Sequence, residues 1–158
     1  MPETPLDALL LKKKISEIIN PRLVQAPADL PLTDVLHLMK EQKSGYVVLT
    51  EKQKPVGIFT EVDVTRRVLL KHVNFNEPIL CFMTKNPQVL TLEDSVGKAI
   101  KFMSQHNFYH IPLVDAQSRL VGMISVRSLI RFLAEFYPTE IYNLPPDPDQ
   151  IMGSQEGG

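Results

Sequence analysis

The stretch GIFTEVD, residues 57–63, returns in altered form as GMISVRS, residues 122–128. Both stretches begin with glycine, continue with two apolar residues and place a hydroxyl side chain, Thr60 or Ser125, fourth. Three positions later the first copy has an aspartate, whereas the second copy has a serine. The repetition indicates two units of one kind, of which the second lacks the acid.

The repetition extends well beyond these two stretches. Residues 32–42 and 96–106 carry apolar side chains at the same relative positions, spaced three and four apart, which predicts an amphipathic helix in each copy. Two short apolar runs across a polar turn follow each helix and predict a β-hairpin. An extended segment, 22–25 or 87–91, precedes each helix. Each half therefore predicts the order strand, helix, strand, strand, helix, an α/β (α+β) fold.

The repeated pattern divides the chain into segments. A unit of roughly 60 residues buries so little surface that it is only marginally stable alone, so the two copies are expected to pack together. A helix over residues 9–19 is expected to dock on the pair, and the end of the chain is expected to be disordered. The predicted segments are an N-terminal segment (1–14), a first repeat (15–71), a linker (72–82), a second repeat (83–136) and a proline-rich tail (137–158).

Composition and charge exclude several classes of protein. Hydrophobic residues make up 44% of the chain and charged residues 22%, which is usual for a globular protein. A net charge of −1 gives no reason to expect nucleic acid or an anionic membrane as a partner. No apolar run approaches the ~20 residues that span a bilayer, and the N-terminus lacks the pattern of a signal peptide. The lone Cys81 excludes an intramolecular disulfide, and we expect a cytoplasmic protein.

The chemistry of GIFTEVD supports two interpretations. In the local one, Thr60 caps a helix, Asp63 lies in its first turn, and Gly57 lets the strand pack closely against a neighbour. In the other, the helix N-terminus and the hydroxyl bind phosphate, and the carboxylate accepts hydrogen bonds from a ribose diol. Gly57 would then leave the strand face open to a flat base. The local sequence leaves both interpretations open.

The tandem repeat, each copy closing with Gly-apolar-apolar-Thr/Ser, resembles a CBS-domain pair (cystathionine β-synthase motif, or Bateman module). CFMTKNPQVLTLEDSVGKAIKFM (81–103) and YHIPLVD (109–115) are similar to the second repeat of that family, and the resemblance covers residues 15–136. It implies two pseudo-symmetric repeats packed sheet to sheet. It also implies that AMP, ADP, ATP or S-adenosylmethionine binds between the repeats as a regulatory ligand, and that the protein forms a disc-like homodimer.

The resemblance also implies which residues bind the ligand. Asp63 would contact the ribose hydroxyls, Thr60 the ribose or a phosphate, and Ile58 the base. His110 would be either a basic phosphate ligand or a half-buried strand histidine, whereas a solvated helix face is favoured for Arg66 and Arg131. The other implied ligand-binding residues are Gly45, Tyr46 and Tyr109 before the central strands, Val24 and Val89 in the lead-in segments, and Ser125, Arg127 and Ser128 in the second motif.

The second copy departs from the family pattern at Ser128, which leaves the ribose diol without a charged acceptor. Loss of such a bond costs about 1.5–3 kcal/mol, or roughly ten- to a hundredfold in affinity. The cleft at Asp63 is therefore the better predicted site, and the cleft at Ser128 is expected to be weak, vacant or altered in preference. The same substitution motivates an alternative, a ligand-free dimerisation or interaction scaffold.

No pattern for catalysis is present. The chain has no P-loop and no GxGxxG stretch, and its four histidines have no metal-ligand spacing with Cys81. We therefore expect no enzyme activity, no metal and no catalytic cofactor. The leading hypothesis is an adenine-nucleotide sensor that signals to a separate effector protein, because nearly the whole chain belongs to the pair.

Overall fold

The computed structural model describes residues 4–19 and 22–136, so the predicted proline-rich tail lies outside the described residues. Each repeat supplies a lead-in strand, a helix, a hairpin and a closing helix. Within the described residues the helices are α1 (Pro5–Lys12), α2 (Leu32–Gln42), α3 (Glu61–Asp63), α4 (Val96–His106) and α5 (Val126–Phe136), and the strands are β1 (Gln25–Pro27), β2 (Tyr46–Glu51), β3 (Lys54–Thr60), β4 (Thr84–Lys85), β5 (Leu90–Thr91), β6 (His110–Val114) and β7 (Leu120–Ser125).

The strands of the described residues form two sheets. The first has the order β1-β2-β3-β4 and the second the order β5-β6-β7. In both sheets the lead-in strand runs parallel to the first hairpin strand, and the hairpin itself is antiparallel. Val48, Ile58 and Met123 form a buried apolar cluster that joins the two sheets. This arrangement confirms the predicted α/β fold of two pseudo-symmetric repeats packed sheet to sheet.

The helices α2 and α4 begin and end where the apolar periodicity predicts. In α4 the side chain of Ser95 accepts a hydrogen bond from the Lys98 N–H at 3.1 Å, which caps the first turn. Lys43 after α2 and Asn107 after α4 adopt the left-handed conformation that commonly ends a helix. Caps at these ends and one apolar stripe along each helix therefore fix both elements locally.

The apolar pattern that follows the first hairpin predicts a closing helix over residues 61–71, but the helical structure ends at residue 68. After the single turn of α3, residues 64–68 form a π-helical turn, in which the Leu69 N–H donates to the Val64 carbonyl at 2.9 Å. The β-branched residues Val64, Thr65 and Val68 favour helix only weakly, and Arg67, which lies within this turn, donates to the carbonyls of Phe82 and Met83. The corresponding helix α5 of the second repeat is continuous, as predicted.

The N-terminal helix lies earlier than the predicted range 9–19. It begins at Pro5, with Thr4 as its cap, because the Thr4 hydroxyl accepts from the Asp7 N–H at 3.1 Å and the Asp7 carboxylate accepts from the Thr4 N–H at 2.9 Å. The helix ends at Lys12, and a short 3₁₀ turn follows over Ile15–Glu17. The reciprocal cap, rather than the later apolar residues, therefore determines where the helix starts.

The 3₁₀ turn before each repeat packs in the core of the other repeat. Ile15 is fully buried among residues of the second repeat, such as Leu90 and Ile111. Ile79 is fully buried among residues of the first repeat, such as Val35 and Phe59. The predicted segment boundaries stay predictions, but each core contains residues from both sides of the linker.

Backbone hydrogen bonds also hold each 3₁₀ turn against the other repeat, so that the two repeats exchange their lead-in segments. The Ile15 N–H donates to the Asp94 carbonyl at 2.9 Å, and the Ile79 N–H donates to the Leu30 carbonyl at 2.7 Å. In addition β4, which lies in the lead-in of the second repeat, pairs with β3 of the first repeat. Each repeat is therefore incomplete without the segment that precedes its neighbour.

We expect that Ile15→Ala and Ile79→Ala each lower the free energy of unfolding by about 2–5 kcal/mol, because each leaves a cavity in a packed core. Urea unfolding followed by circular dichroism measures the change. Leu11→Ala is the matched control, since this side chain is 56% exposed and its truncation should cost less than about 1 kcal/mol. A cost for Ile15→Ala no larger than for the control would contradict the exchanged packing.

Candidate functional site

The two motifs have the same local geometry despite their different side chains. In the first, the Thr60 N–H and hydroxyl lie 2.9 and 3.3 Å from the Asp63 Oδ2. In the second, the Ser125 N–H donates to the Ser128 Oγ at 3.3 Å, and the Ser128 N–H donates to the Ser125 Oγ at 3.2 Å. Asp63 is 7% exposed and Ser128 is 6% exposed. A serine hydroxyl therefore replaces the carboxylate as a cap, but it brings no negative charge.

Tyr46 and His110 bring the two motifs together between the repeats. Their ring centroids are 5.1 Å apart, with an angle of 40° between the ring planes. Tyr46 is the register partner of Thr60, and His110 is the register partner of Ser125. A continuous row of side chains therefore joins the carboxylate of the first motif to the hydroxyls of the second.

The backbone groups of Val24 are occupied within the fold. The Val24 N–H donates to the Tyr46 hydroxyl at 3.3 Å, and the Val24 carbonyl accepts from the Val48 N–H at 2.9 Å. Burial is the main cause that raises the pKa of Tyr46, which keeps its hydroxyl protonated. A base at Val24 could use only the second lone pair of that carbonyl. Val89 is partly exposed just before β5.

His110 is neutral near pH 7 in this structure. Burial, and secondly the positive charge of Arg127, lower the pKa of His110 from its ordinary value of 6.5 to about 4. The Arg127 side chain itself is exposed. A phosphate beside this pair would oppose both effects, so His110 would contribute a positive charge only together with an anion.

The residues before the central strands hold the start of each closing helix. The Glu61 N–H donates to the Gly45 carbonyl at 3.1 Å, and the Val126 N–H donates to the Tyr109 carbonyl at 3.0 Å. The Tyr109 ring is mostly exposed. Gly45 and Tyr109 therefore lie next to Thr60 and Ser125 through backbone contacts.

The space beside the motif glycines is filled by the exchanged lead-in segments. A Cβ on Gly57 would lie 2.2 Å from the Met83 Sδ, and a Cβ on Gly122 would lie 3.3 Å from the Ile19 Cδ1. Close packing against the Met83 side chain accounts for Gly57 in this structure, whereas the interpretation that Gly57 leaves a face for a flat base stays a prediction. Ile58 is also buried, within the cluster that joins the sheets.

Within residues 4–19 and 22–136, no three histidine, cysteine, aspartate or glutamate side chains lie in an arrangement that could hold a metal ion. In the same residues, no helix has both the length and the apolar character that crossing a membrane requires.

Comparison with known proteins identifies the family. The model of the CBS domain matches residues 15–70 and again residues 79–135. The chain belongs to the CBS domain family. A curated relative, an uncharacterized 17.7 kDa protein of Acidianus ambivalens, is 26% identical over 125 residues, which are 78% of this chain and 75% of that protein.

Solved structures of CBS domain pairs have the same fold. The CBS domain protein PAE2072 from Pyrobaculum aerophilum, complexed with AMP, has a TM-score of 0.70 and 26% identity, and the match covers 77% of this chain and 96% of that one. The CBS domain pair of protein MJ0100, in complex with 5′-methylthioadenosine and S-adenosyl-L-methionine, has a TM-score of 0.71 and 18% identity over 78% of this chain and 98% of that one.

Several other curated relatives are much longer proteins. This CBS domain pair spans 51% of one relative from Methanopyrus kandleri and 24% of an inosine-5′-monophosphate dehydrogenase from Aquifex aeolicus. The activities of those longer proteins therefore do not pass to this chain by similarity of the CBS domains.

Sequence reasoning missed Arg67, which contacts the first motif of the CBS pair. Its Nη1 donates to the carbonyls of Phe82 and Met83, and its Nε lies 3.6 Å from the Asp63 Oδ1. The spacing of four residues after Asp63 is typical of an ion pair along a helix and could have found it. Arg66 and Arg131, for which the sequence favours a solvated helix face, are exposed.

Acid should destabilise the protein through His110. In the unfolded state His110 takes up a proton near pH 6.5, whereas in the folded state it does so only near pH 4. The stability that the neutral, buried His110 contributes is therefore fully present above pH 6.5 and is lost as the pH falls towards 4. The loss is on the order of 3 kcal/mol at most. We expect His110→Gln to flatten this part of a urea-unfolding pH series, whereas His37→Gln on the exposed face of α2 leaves it unchanged. Equal profiles for both variants would refute the assignment.

Proposed function

We propose that this CBS domain pair is a regulatory module that binds an adenine nucleotide, with the ribose hydroxyls against Asp63. The observation that carries the proposal is the carboxylate at the first motif. A carboxylate offers about four acceptor positions, and Thr60 uses two of them, both at Oδ2. The Oδ1 atom lies 3.6 Å from Arg67, which is too long for a hydrogen bond, so it keeps capacity for ligand hydroxyls.

The chemistry across the row of side chains fits a nucleoside phosphate. Asp63 provides acceptors for a diol, Arg127 provides positive charge, and His110 can become positively charged beside an anion. The rings of Tyr46 and His110 offer flat surfaces next to these groups. The proposed ligand therefore needs both a sugar diol and an anionic group.

Relatives support the adenine nucleotide and leave one further candidate. PAE2072, which is 26% identical, was solved in complex with AMP. The MJ0100 pair, solved with S-adenosyl-L-methionine, makes that molecule the second candidate, since it also carries an adenosine diol but brings a positive charge instead of a phosphate. The exposed Arg127 favours the phosphate.

Regulation would follow from the exchanged packing of the repeats. A ligand between them changes the protein only as far as it binds one relative arrangement more tightly than another. Because each repeat contains a segment of its neighbour, a shift at the cleft would reach the linker at residues 72–82. A separate effector protein would then detect the change, in the cytoplasm.

We expect Asp63→Ser to weaken the binding of AMP by about ten- to a hundredfold, because it removes a charged acceptor. Ser128 provides the structural precedent, since a serine at the equivalent position still caps its helix. A thermal-shift titration with AMP, ADP, ATP and S-adenosylmethionine measures the effect, because ligand at a hundred times its dissociation constant adds ~2.7 kcal/mol to stability.

Asp34→Ser, on the exposed face of α2, is the matched control and should leave the titration unchanged. A well-folded wild type that responds to none of the four ligands would sink the proposal and favour the ligand-free scaffold. A response only to S-adenosylmethionine would show that the proposed ligand is wrong, but it would be consistent with the proposed site.

The proposal includes a homodimer, for which α5 offers an apolar face. Ile130 is 59% exposed and Leu133 is 36% exposed on this helix. We expect Ile130→Lys to convert dimers to monomers in sedimentation velocity, because pairing would bury a charge without a partner. Gln42→Lys, at the exposed end of α2, adds the same charge and should have no effect. A monomeric wild type would rule out the dimer.

A further inference from the structure

Arg67 connects the carboxylate of the first motif to the segment that enters the second repeat. Its Nη1 lies 2.9 Å from the Phe82 carbonyl oxygen and 2.6 Å from the Met83 carbonyl oxygen. Its Nε lies 3.6 Å from the Asp63 Oδ1. Three oxygen atoms from two parts of the chain therefore lie within 3.6 Å of the nitrogen atoms of one guanidinium group, whose side chain is 44% exposed.

The second repeat lacks both members of this pair. The position of Asp63 is taken by Ser128, and the position of Arg67 is taken by Phe132. Phe132 stacks on Phe136 with a centroid distance of 6.1 Å and has the Lys13 ammonium 5.9 Å above its ring. Acid and arginine thus occur together in one repeat and are both absent from the other, which indicates that they act as a unit.

The contacts of Arg67 do more than neutralise a charge. The two carbonyl oxygens accept hydrogen bonds from Nη1 and hold the planar guanidinium in one place beside the carboxylate. Thr60 then donates to the Oδ2 atom of Asp63, and the positive charge of Arg67 lies 3.6 Å from Oδ1, an electrostatic contact without a hydrogen bond that leaves Oδ1 open to ligand hydroxyls. A carboxylate fixed in this way loses little freedom when two neighbouring hydroxyls bind it.

We propose that Arg67 is a positioning residue that gives the site its preference for a ribose diol over a deoxyribose. This inference rests on the proposed function, since it requires that Asp63 receives the sugar. In this role Arg67 acts on the carboxylate and not on the ligand, since its Nη1 donates to the Phe82 and Met83 carbonyls and its Nε faces the Asp63 Oδ1. Its effect passes through the orientation of the carboxylate.

Calorimetric titration of the full chain with AMP and with 2′-deoxy-AMP tests the inference. Wild type should bind AMP about tenfold or more tightly than 2′-deoxy-AMP, because the deoxy sugar leaves a charged acceptor partly unused. Arg67→Gln should reduce this ratio to about threefold or less, and Arg67→Lys should give an intermediate ratio because its point charge cannot bridge three oxygens. A merely structural role would weaken both ligands equally and leave the ratio unchanged.

Arg66→Gln is the matched control, since it removes the same charge from an exposed neighbour and should keep the wild-type ratio. In an Asp63→Ser background, Arg67→Gln should change the ratio no further, because the pair acts as a unit. If Arg67→Gln fails to fold, Arg67→Lys provides the test. A wild-type ratio in folded Arg67 variants overturns the inference, whereas unchanged AMP affinity in Asp63→Ser overturns the proposed function instead.

Discussion

The structure depends on the exchange of lead-in segments between the two repeats. Ile15 completes the core of the second repeat and Ile79 completes the core of the first. The backbone N–H of each donates a hydrogen bond to the repeat in whose core the side chain packs. A unit of about 60 residues is only marginally stable alone, and the exchange adds the buried Ile15 and Ile79 side chains to the two cores. It also places the strand β4 against β3 and the Met83 side chain over Gly57. The geometry around the first motif is therefore set by residues of the second repeat.

Pseudo-symmetry brings equivalent residues face to face, and small substitutions then make the two clefts different. Tyr46 and His110 are equivalent positions that contact each other between the repeats. On either side of this contact the capping geometry is the same, but only the first motif has a carboxylate. The closing helix is also shorter in the first repeat than in the second. The two motifs therefore differ in charge and in the length of the following helix although they share one capping geometry.

Periodicity in the sequence predicted most of the fold but not its irregular parts. The helices α2 and α4 follow from spacings of three and four, because a buried stripe and local caps decide them. The π-helical turn at residues 64–68 and the contacts of Arg67 with carbonyls fifteen and sixteen residues away could not be predicted this way. Among the candidate site residues, the capping roles of Thr60 and Asp63 were visible locally. The hydrogen bond from the Val24 N–H to the Tyr46 hydroxyl was not visible locally, because it joins residues that are 22 positions apart in the chain.

The sequence by itself determined that this protein has two copies of one unit, the order of elements in each, the family resemblance and the missing acid at Ser128. These features depend on local spacing and on residue identity, both of which are written directly along the chain. Only the tertiary structure decided which core each lead-in segment completes, what fills the space beside Gly57, and that Arg67 lies between Asp63 and the linker. The physical reason is that these contacts join residues far apart in the chain, and burial, which selects among such contacts, is a property of the whole fold.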